Sequence, residues 1–257
     1  MSSKQNNKNN SIAESKPLEI TESYVSDMNA REIPCISLKN IAEELTNKDM
    51  HLISKLNHVK QLEIFNMWGL DMDVFGRFRN FQVERLHLDG WNVLQDTTDI
   101  LSTMDKLTHL SIVGADLSSK MAEESVIHIS EIPNLTSLKL ELCRVVSFRA
   151  FANTKLKQLS VKGIYYETFQ DSHIEEISSI KTLEKLILDC YHVTDAGISH
   201  LVSLGNLKKL TLVNCRYLTF ASLAAISSME TLVKVKIYGF TAEETPIRDA
   251  PFMELCY

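Results

Sequence analysis

Two histidines, an aspartate and a serine carry the spacing most suggestive of chemistry in this sequence. His87 and Asp89 alternate within ERLHLDG, and His109 and Ser111 alternate within THLSIVG. Imidazole and carboxylate are metal ligands, and Ser/His/Asp is the set that activates a hydroxyl nucleophile. No third metal ligand is placed beside them, so the expected role is that of a polar, solvated surface touching a partner. No Walker loop, dinucleotide glycine pattern, His-Glu-x-x-His or Gly-x-Ser-x-Gly occurs. Arg77, Arg79 or Arg85 offers a different chemistry, a finger that stabilises charge at the site of a partner GTPase.

The alternation around these residues says what must hold them. In each segment apolar residues flank the polar ones at every second place, the period of a strand with one buried face. Self-comparison extends the pattern through the chain. The template has apolar residues at relative positions one, four and six and a buried residue at nine. Close copies are LTHLSIVGA from Leu107, LTSLKLELC from Leu135, LEKLILDCY from Leu183 and LKKLTLVNC from Leu207. Looser copies begin at Ile33, Val59, Val83, Leu156 and Leu232. Successive starts are 21 to 28 residues apart, inside the window of about 20–29 residues that marks leucine-rich repeats.

Each unit then reads as a short strand, an inward turn and a return segment. The return segments carry helical stripes, such as Ile174, Ile177 and Ile180. One unit cannot bury its own faces, so units must stack. The expected architecture is an α/β leucine-rich-repeat solenoid, a horseshoe of about nine repeats. Its parallel sheet lines the concave face and its helices the convex face.

Positions three, five and seven of every strand face outward on that sheet. Position three brings Lys185, Lys209 and Lys234 onto consecutive strands, with Lys236 at position five beside them. Like charges at strand spacing repel, and an acidic partner segment relieves that repulsion. The competing reading is that lysine stems cover the sheet while their heads stay in water. Phe65, Val113, Ile187, Val213 and Tyr238 are apolar at outward places, where exposed aromatics commonly anchor partners. Coverage by a neighbouring loop or tail is the alternative. The partner-binding candidates are therefore Phe65, Arg85, His87, Asp89 and His109 in the first half of the array. Lys185, Ile187, Lys209, Lys234, Lys236 and Tyr238 are those of the second. Trp68 and Trp91 fall in or near loop turns and read as core.

The segment VTDAGISHL, Val193–Leu201, resembles the loop of the cysteine-containing class of leucine-rich repeats, part of the ribonuclease-inhibitor-like group. The repeat arrays of F-box proteins belong to that class. Thr194 or Asp195 caps the next helix in this reading, and Gly197 permits close packing. Cys143 and Cys215 stand at position nine as the class expects. In the repeat from Leu183, Tyr191 takes position nine and Cys190 falls one place early. The resemblance implies a non-enzymatic intracellular adaptor or recognition subunit, and by extension a substrate receptor in ubiquitin ligation. No F-box is expected in the short, polar stretch before Ile33. A microbial effector built on the same repeats is a further alternative.

Composition bounds the rest. The 257 residues are 44% hydrophobic and 23% charged, enough apolar material for a core. A net charge of −6 argues against a nucleic-acid partner. No apolar run is long enough to span a membrane, and no secretory or transit pattern opens the chain. Five cysteines, Cys35, Cys143, Cys190, Cys215 and Cys256, are scattered singly, which favours a reducing compartment, cytoplasmic or nuclear. The expected division is a disordered tail over 1–30, the array over 31–240 and a capping segment over 241–257. The expected partners are proteins, with no cofactor, metal or catalytic residue, and the chain is expected to be a monomer.

Overall fold

The computed structural model describes residues 19–38, 46–65, 82–90, 95–114, 116–117, 120–145, 147–163, 169–241 and 253–256. Trp68, Arg77, Arg79, Trp91 and the N-terminal residues through 18 lie outside them.

The array begins with helix α1 (Glu22–Ala30) and strand β1 (Cys35–Leu38), followed by α2 (Asn47–Ile53) and β2 (Gln61–Ile64). Strand β3 (Arg85–Asp89) leads to α3 (Gln95–Ser102) and β4 (His109–Val113). A two-residue β5 (Asp116–Leu117), helix α4 (Lys120–Ser130), β6 (Ser137–Glu141) and a second short strand, β7 (Arg144–Val145), come next. Strand β8 (Gln158–Lys162), α5 (Asp171–Ile177), β9 (Lys185–Asp189) and α6 (Asp195–His200) follow. The chain ends through β10 (Lys209–Val213), α7 (Phe220–Ser227), β11 (Lys234–Tyr238) and β12 (Met253–Cys256).

Ten of these strands form one open parallel sheet in the order β1-β2-β3-β4-β6-β8-β9-β10-β11-β12, and β5 pairs with β7 apart from it. The architecture is the leucine-rich-repeat solenoid that the spacing implies. Every strand of the ten-stranded sheet from β2 to β11 buries positions four and six, as in Leu86 and Leu88 or Leu210 and Leu212, each at most 2% exposed. Position one adds Leu107, Leu156, Leu183 and Leu207, and the helices add Ile129, Ile174, Ile177, Ile198 and Ile226. The result is one continuous core running through the stack. No helix among the described residues is long and apolar enough to cross a membrane.

Regular elements continue past the nine repeat strands at both ends of the array. Residues 22–30, assigned by composition to the tail, form α1. Thr21 caps that helix by accepting from the Tyr24 N–H at 3.1 Å. Val25 is buried beneath it. Asn29 fastens it to the next repeat, donating to the Lys55 carbonyl at 2.9 Å and accepting from the Asn57 N–H at 3.1 Å. The polar Asn/Ser/Lys composition ends earlier than residue 30, and Ile20, Tyr24, Val25 and Met28 supply the helix with an apolar side. At the other end Met253–Cys256 pair with β11 from Val235↔Met253 to Tyr238↔Cys256, a strand more than the nine repeat starts supply.

Position eight turns the chain out of β3, β4, β6, β8, β10 and β11. Gly90, Gly114, Gly163 and Gly239 take φ values of 73, 75, 58 and 70° there, and Leu142 and Asn214 take 53 and 57°. The β9 repeat lacks this residue. Cys190 follows Asp189 directly, is fully buried, and donates its N–H to the Val213 carbonyl at 2.8 Å. Cys215 makes the equivalent bond to Tyr238 at 3.2 Å. Cys190, and not Tyr191, therefore fills the position-nine slot. A one-residue deletion at the turn explains what an ungapped template misplaces. Cys143 and Cys215 are fully buried in the same role.

The Thr-Asp pair of the loop couples neighbouring repeats. Thr194 caps its own helix through the Ala196 N–H at 3.3 Å, and Thr219 does so through Ala221 at 3.2 Å. Asp195 reaches forward instead. It accepts from the Thr219 N–H at 2.8 Å, from the Thr219 hydroxyl at 2.6 Å, and from the buried Ser222 hydroxyl. Asp171 accepts from Thr194 in the same way, at 2.8 and 2.6 Å. Gly197 sits under that contact, and a Cβ on it runs into the Asp171 carboxylate.

Candidate functional site

The parallel register fixes which outward side chains meet. In the first half of the sheet, Arg85 lies opposite His109 and His87 opposite Ser111. Gln61, Glu63, Arg85, His87, His109 and Ser111 line a shallow depression there. His87 Nδ1 is 2.9 Å from Ser111 Oγ, and the Phe65 ring lies 4.9 Å from the His87 ring, tilted by 45°. His109 Nδ1 bonds to its neighbour Thr108 Oγ1 at 2.8 Å. Burial, followed by the adjacent Arg85 charge, holds the His109 imidazole below its ordinary pKa, so it is neutral near pH 7.

Asp89 sits opposite Val113, one outward place beyond the His87–Ser111 pair. Among the described residues no group of three His, Cys, Asp or Glu side chains is arranged to hold a metal ion. The depression is a polar face with one aromatic ring, Phe65, beside His87. Arg85 is exposed on it.

The second half carries the charge. Lys185, Lys209 and Lys234 stand in direct register on β9, β10 and β11 and are exposed. Neighbouring strands lie about 4.8 Å apart. Among the described residues none of the three has a carboxylate within 4.0 Å. The nearby acids are already engaged. Glu184 lies between Lys157 at 3.3 Å and Lys208 at 2.9 Å, and hydrogen bonds from Lys208 and then Lys157 hold its carboxyl below the ordinary range. Asp189 is nearly buried and accepts from the Gly163 N–H at 3.1 Å and from Asn214 Nδ2 at 2.9 Å. Lys236, grouped by sequence with the open lysines, differs from them: its ammonium pairs with Glu254 at 2.7 Å. The late strand β12 brings that carboxylate, and no repeat template covers β12.

Apolar groups lie beside the lysines. Ile187 and Val213 are partly exposed and Tyr238 is exposed. Beyond the strand ends comes a cluster that outward-position counting misses. The Arg216 guanidinium lies 4.7 Å from the Tyr191 ring centroid and donates to the Tyr191 hydroxyl at 3.2 Å. The His192 and Tyr217 rings stack at 6.3 Å with 14° between planes, and Tyr217 is 56% exposed. The deletion before Cys190 creates this match. It aligns Tyr191 with Arg216 and His192 with Tyr217, so allowing a gap at position eight would have revealed the pairing.

No protein-family model and no curated protein sequence matches the chain. Among solved structures the chain is similar to one described as the Rad7 and Elc1 complex in yeast. The TM-score is 0.48 at 13% identity, covering 91% of this chain and 86% of the other. It is also similar to an internalin from Listeria monocytogenes, with a TM-score of 0.49 at 15% identity, covering 86% of this chain and 72% of the other. Neither likeness bears on what the chain binds.

Proposed function

We propose that the chain is a non-enzymatic protein-interaction module that holds an acidic segment of a protein partner against the open face of β9–β11. The observation behind it is the column of Lys185, Lys209 and Lys234, in register and with no carboxylate within 4.0 Å among the described residues. A chain of net charge −6 gathers three like charges at strand spacing here, and repulsion between them is offset when an acidic segment binds. Ile187, Val213 and Tyr238 add apolar area beside them, and the depression around His87 extends the contact face toward the N-terminal repeats.

The test compares affinity purification by the wild-type chain, by K185E/K209E/K234E and by a control changed at Lys48 on α2. Partner recovery falls by about tenfold or more in the triple variant only, the size expected when several rim charges are reversed. Equal recovery by all three removes the proposal.

The narrower role is that of an intracellular recognition subunit, including one serving ubiquitin ligation. It is supported by the cysteine-class features, the buried Cys143, Cys190 and Cys215 and the Thr194–Asp195 loop. Co-purification of a cullin-ligase subunit with the full chain supports that role, and repeated absence of one removes it.

A further inference from the structure

The lysine column spans the β9, β10 and β11 repeats, and the cluster of Tyr191, His192, Arg216 and Tyr217 stands on the first two of them, past the opposite ends of their strands. Lys209 opens β10 and Val213 closes it, about 13 Å further on at 3.3 Å per residue. Arg216 follows three residues later, beyond the turn at Asn214. Ile187, Val213 and Tyr238 occupy the ground between. Along the strand direction the column of lysines is thus followed by Ile187, Val213 and Tyr238, with Thr211 and the Glu254-paired Lys236 among them, and then by Arg216 past the strand ends.

Arg216 is the second cationic pole. Its side chain is held by the Tyr191 ring and hydroxyl, and no carboxylate among the described residues pairs with it. A guanidinium stacked on an aromatic ring keeps its outer N–H edge in a fixed plane, the geometry that takes a carboxylate with two parallel hydrogen bonds. Tyr217, the next residue, stacks on His192 and is exposed. Tyr and Arg are the residue types that most often carry binding energy at interfaces.

We infer that the acidic partner segment is bipartite and runs along β9–β11. One acidic group lies on the lysine column, an apolar side chain lies over Ile187, Val213 and Tyr238, and a second carboxylate is held by Arg216 beside Tyr217. This inference rests on the lysine-column reading and adds direction and spacing to it. The poles lie roughly 15–20 Å apart, which an extended segment spans with about five residues between its acidic groups.

The test is fluorescence anisotropy on the full chain with fluorescein-labelled synthetic peptides. Each carries an acidic triplet, a central Leu and a distal acidic pair, with about two, five or ten residues between the acidic groups. The peptide of middle spacing binds tightest. R216A weakens it by about five- to tenfold and leaves a peptide without the distal acids unchanged. R216E loses the same peptide but recovers binding when its distal acids are replaced by Lys, a charge swap that a misfolded variant cannot reproduce. Indifference to spacing and to R216A, with binding still lost in K209A, overturns the bipartite segment and leaves the lysine column standing. Failure of every acidic peptide overturns both. A single-stranded DNA oligonucleotide that binds as tightly as the middle-spaced peptide overturns both as well, since the face would then bind any polyanion.

Discussion

Removing the Asp195 carboxylate should loosen the C-terminal repeats by a definite amount. The carboxylate satisfies three donors of the following repeat, the Thr219 N–H, the Thr219 hydroxyl and the Ser222 hydroxyl. The two Thr219 donors are exposed and water replaces their partner at small cost. Ser222 is fully buried, and its hydroxyl is orphaned in D195A. An orphaned buried donor costs about 1–3 kcal/mol. Thr219 also caps α7, and loosening that cap adds about 1 kcal/mol. The sum is about 2–4 kcal/mol, transmitted through one interface of a stack whose stability is shared between neighbours. Urea titration followed by circular dichroism reads it as a lower midpoint at unchanged slope. The double variant D195A/S222A separates the causes. With no hydroxyl left to orphan, it should recover about 1–2 kcal/mol relative to D195A. A D195A midpoint indistinguishable from wild type, or a double variant no better than the single, refutes the reasoning.

Other outcomes follow from the same geometry. G197A drives a Cβ into the Asp171 carboxylate and to 3.1 Å from the Asp171 Cα, so it should cost about 1–3 kcal/mol and lower the melting temperature. G163A places Ala at a φ of +58° against Leu142 Cδ2 at 3.0 Å and should cost roughly 1–2 kcal/mol. G205A, with nothing within 4 Å, should be neutral or stabilise by up to about 1 kcal/mol; equal melting temperatures for these two alanine variants contradict the turn argument. Acid should destabilise the fold in two stages. His109 is held below its ordinary 6.5, so the unfolded chain takes that proton first and stability declines as pH falls below about 6.5. Burial works to raise the Asp195 carboxyl, but its bonds from Ser222 and Thr219 outweigh that and hold it below its ordinary 3.8. Glu184 is held below its ordinary 4.5, and both contributions are lost as pH falls through their folded values. Urea midpoints from pH 8 to 3 check the sequence of losses, and H109Q should remove the first stage alone.

The sequence made the strands legible because their signal is local. Alternation of period two with leucines at four and six names the buried face directly, and the lysine register followed from counting repeats. Three features escaped for physical reasons. The helix α1 follows a tail of polar composition, and its stability comes from Asn29 bonding to a repeat twenty-six residues away, a contact no local pattern announces. The pairing of Lys236 depends on Glu254, carried by a strand outside the repeat rhythm. The Arg216–Tyr191 contact depends on a one-residue deletion that leaves the hydrophobic pattern intact and shifts only the residues after the turn. The site constellation around His87 shows the converse. The residue types suggested a triad, whereas register pairs His87 with Ser111 and sets Asp89 opposite Val113.

The most direct measurement of the central claim is lysine footprinting by reductive methylation, read by mass spectrometry on the full chain alone and in its partner complex. Modification of Lys185, Lys209 and Lys234 should fall together in the complex, while Lys48 on α2 and Lys106, which precedes β4 and pairs with Asp105, stay reactive. Unchanged modification of the three-lysine column in a complex that has formed would show that the partner sits elsewhere and would contradict the account.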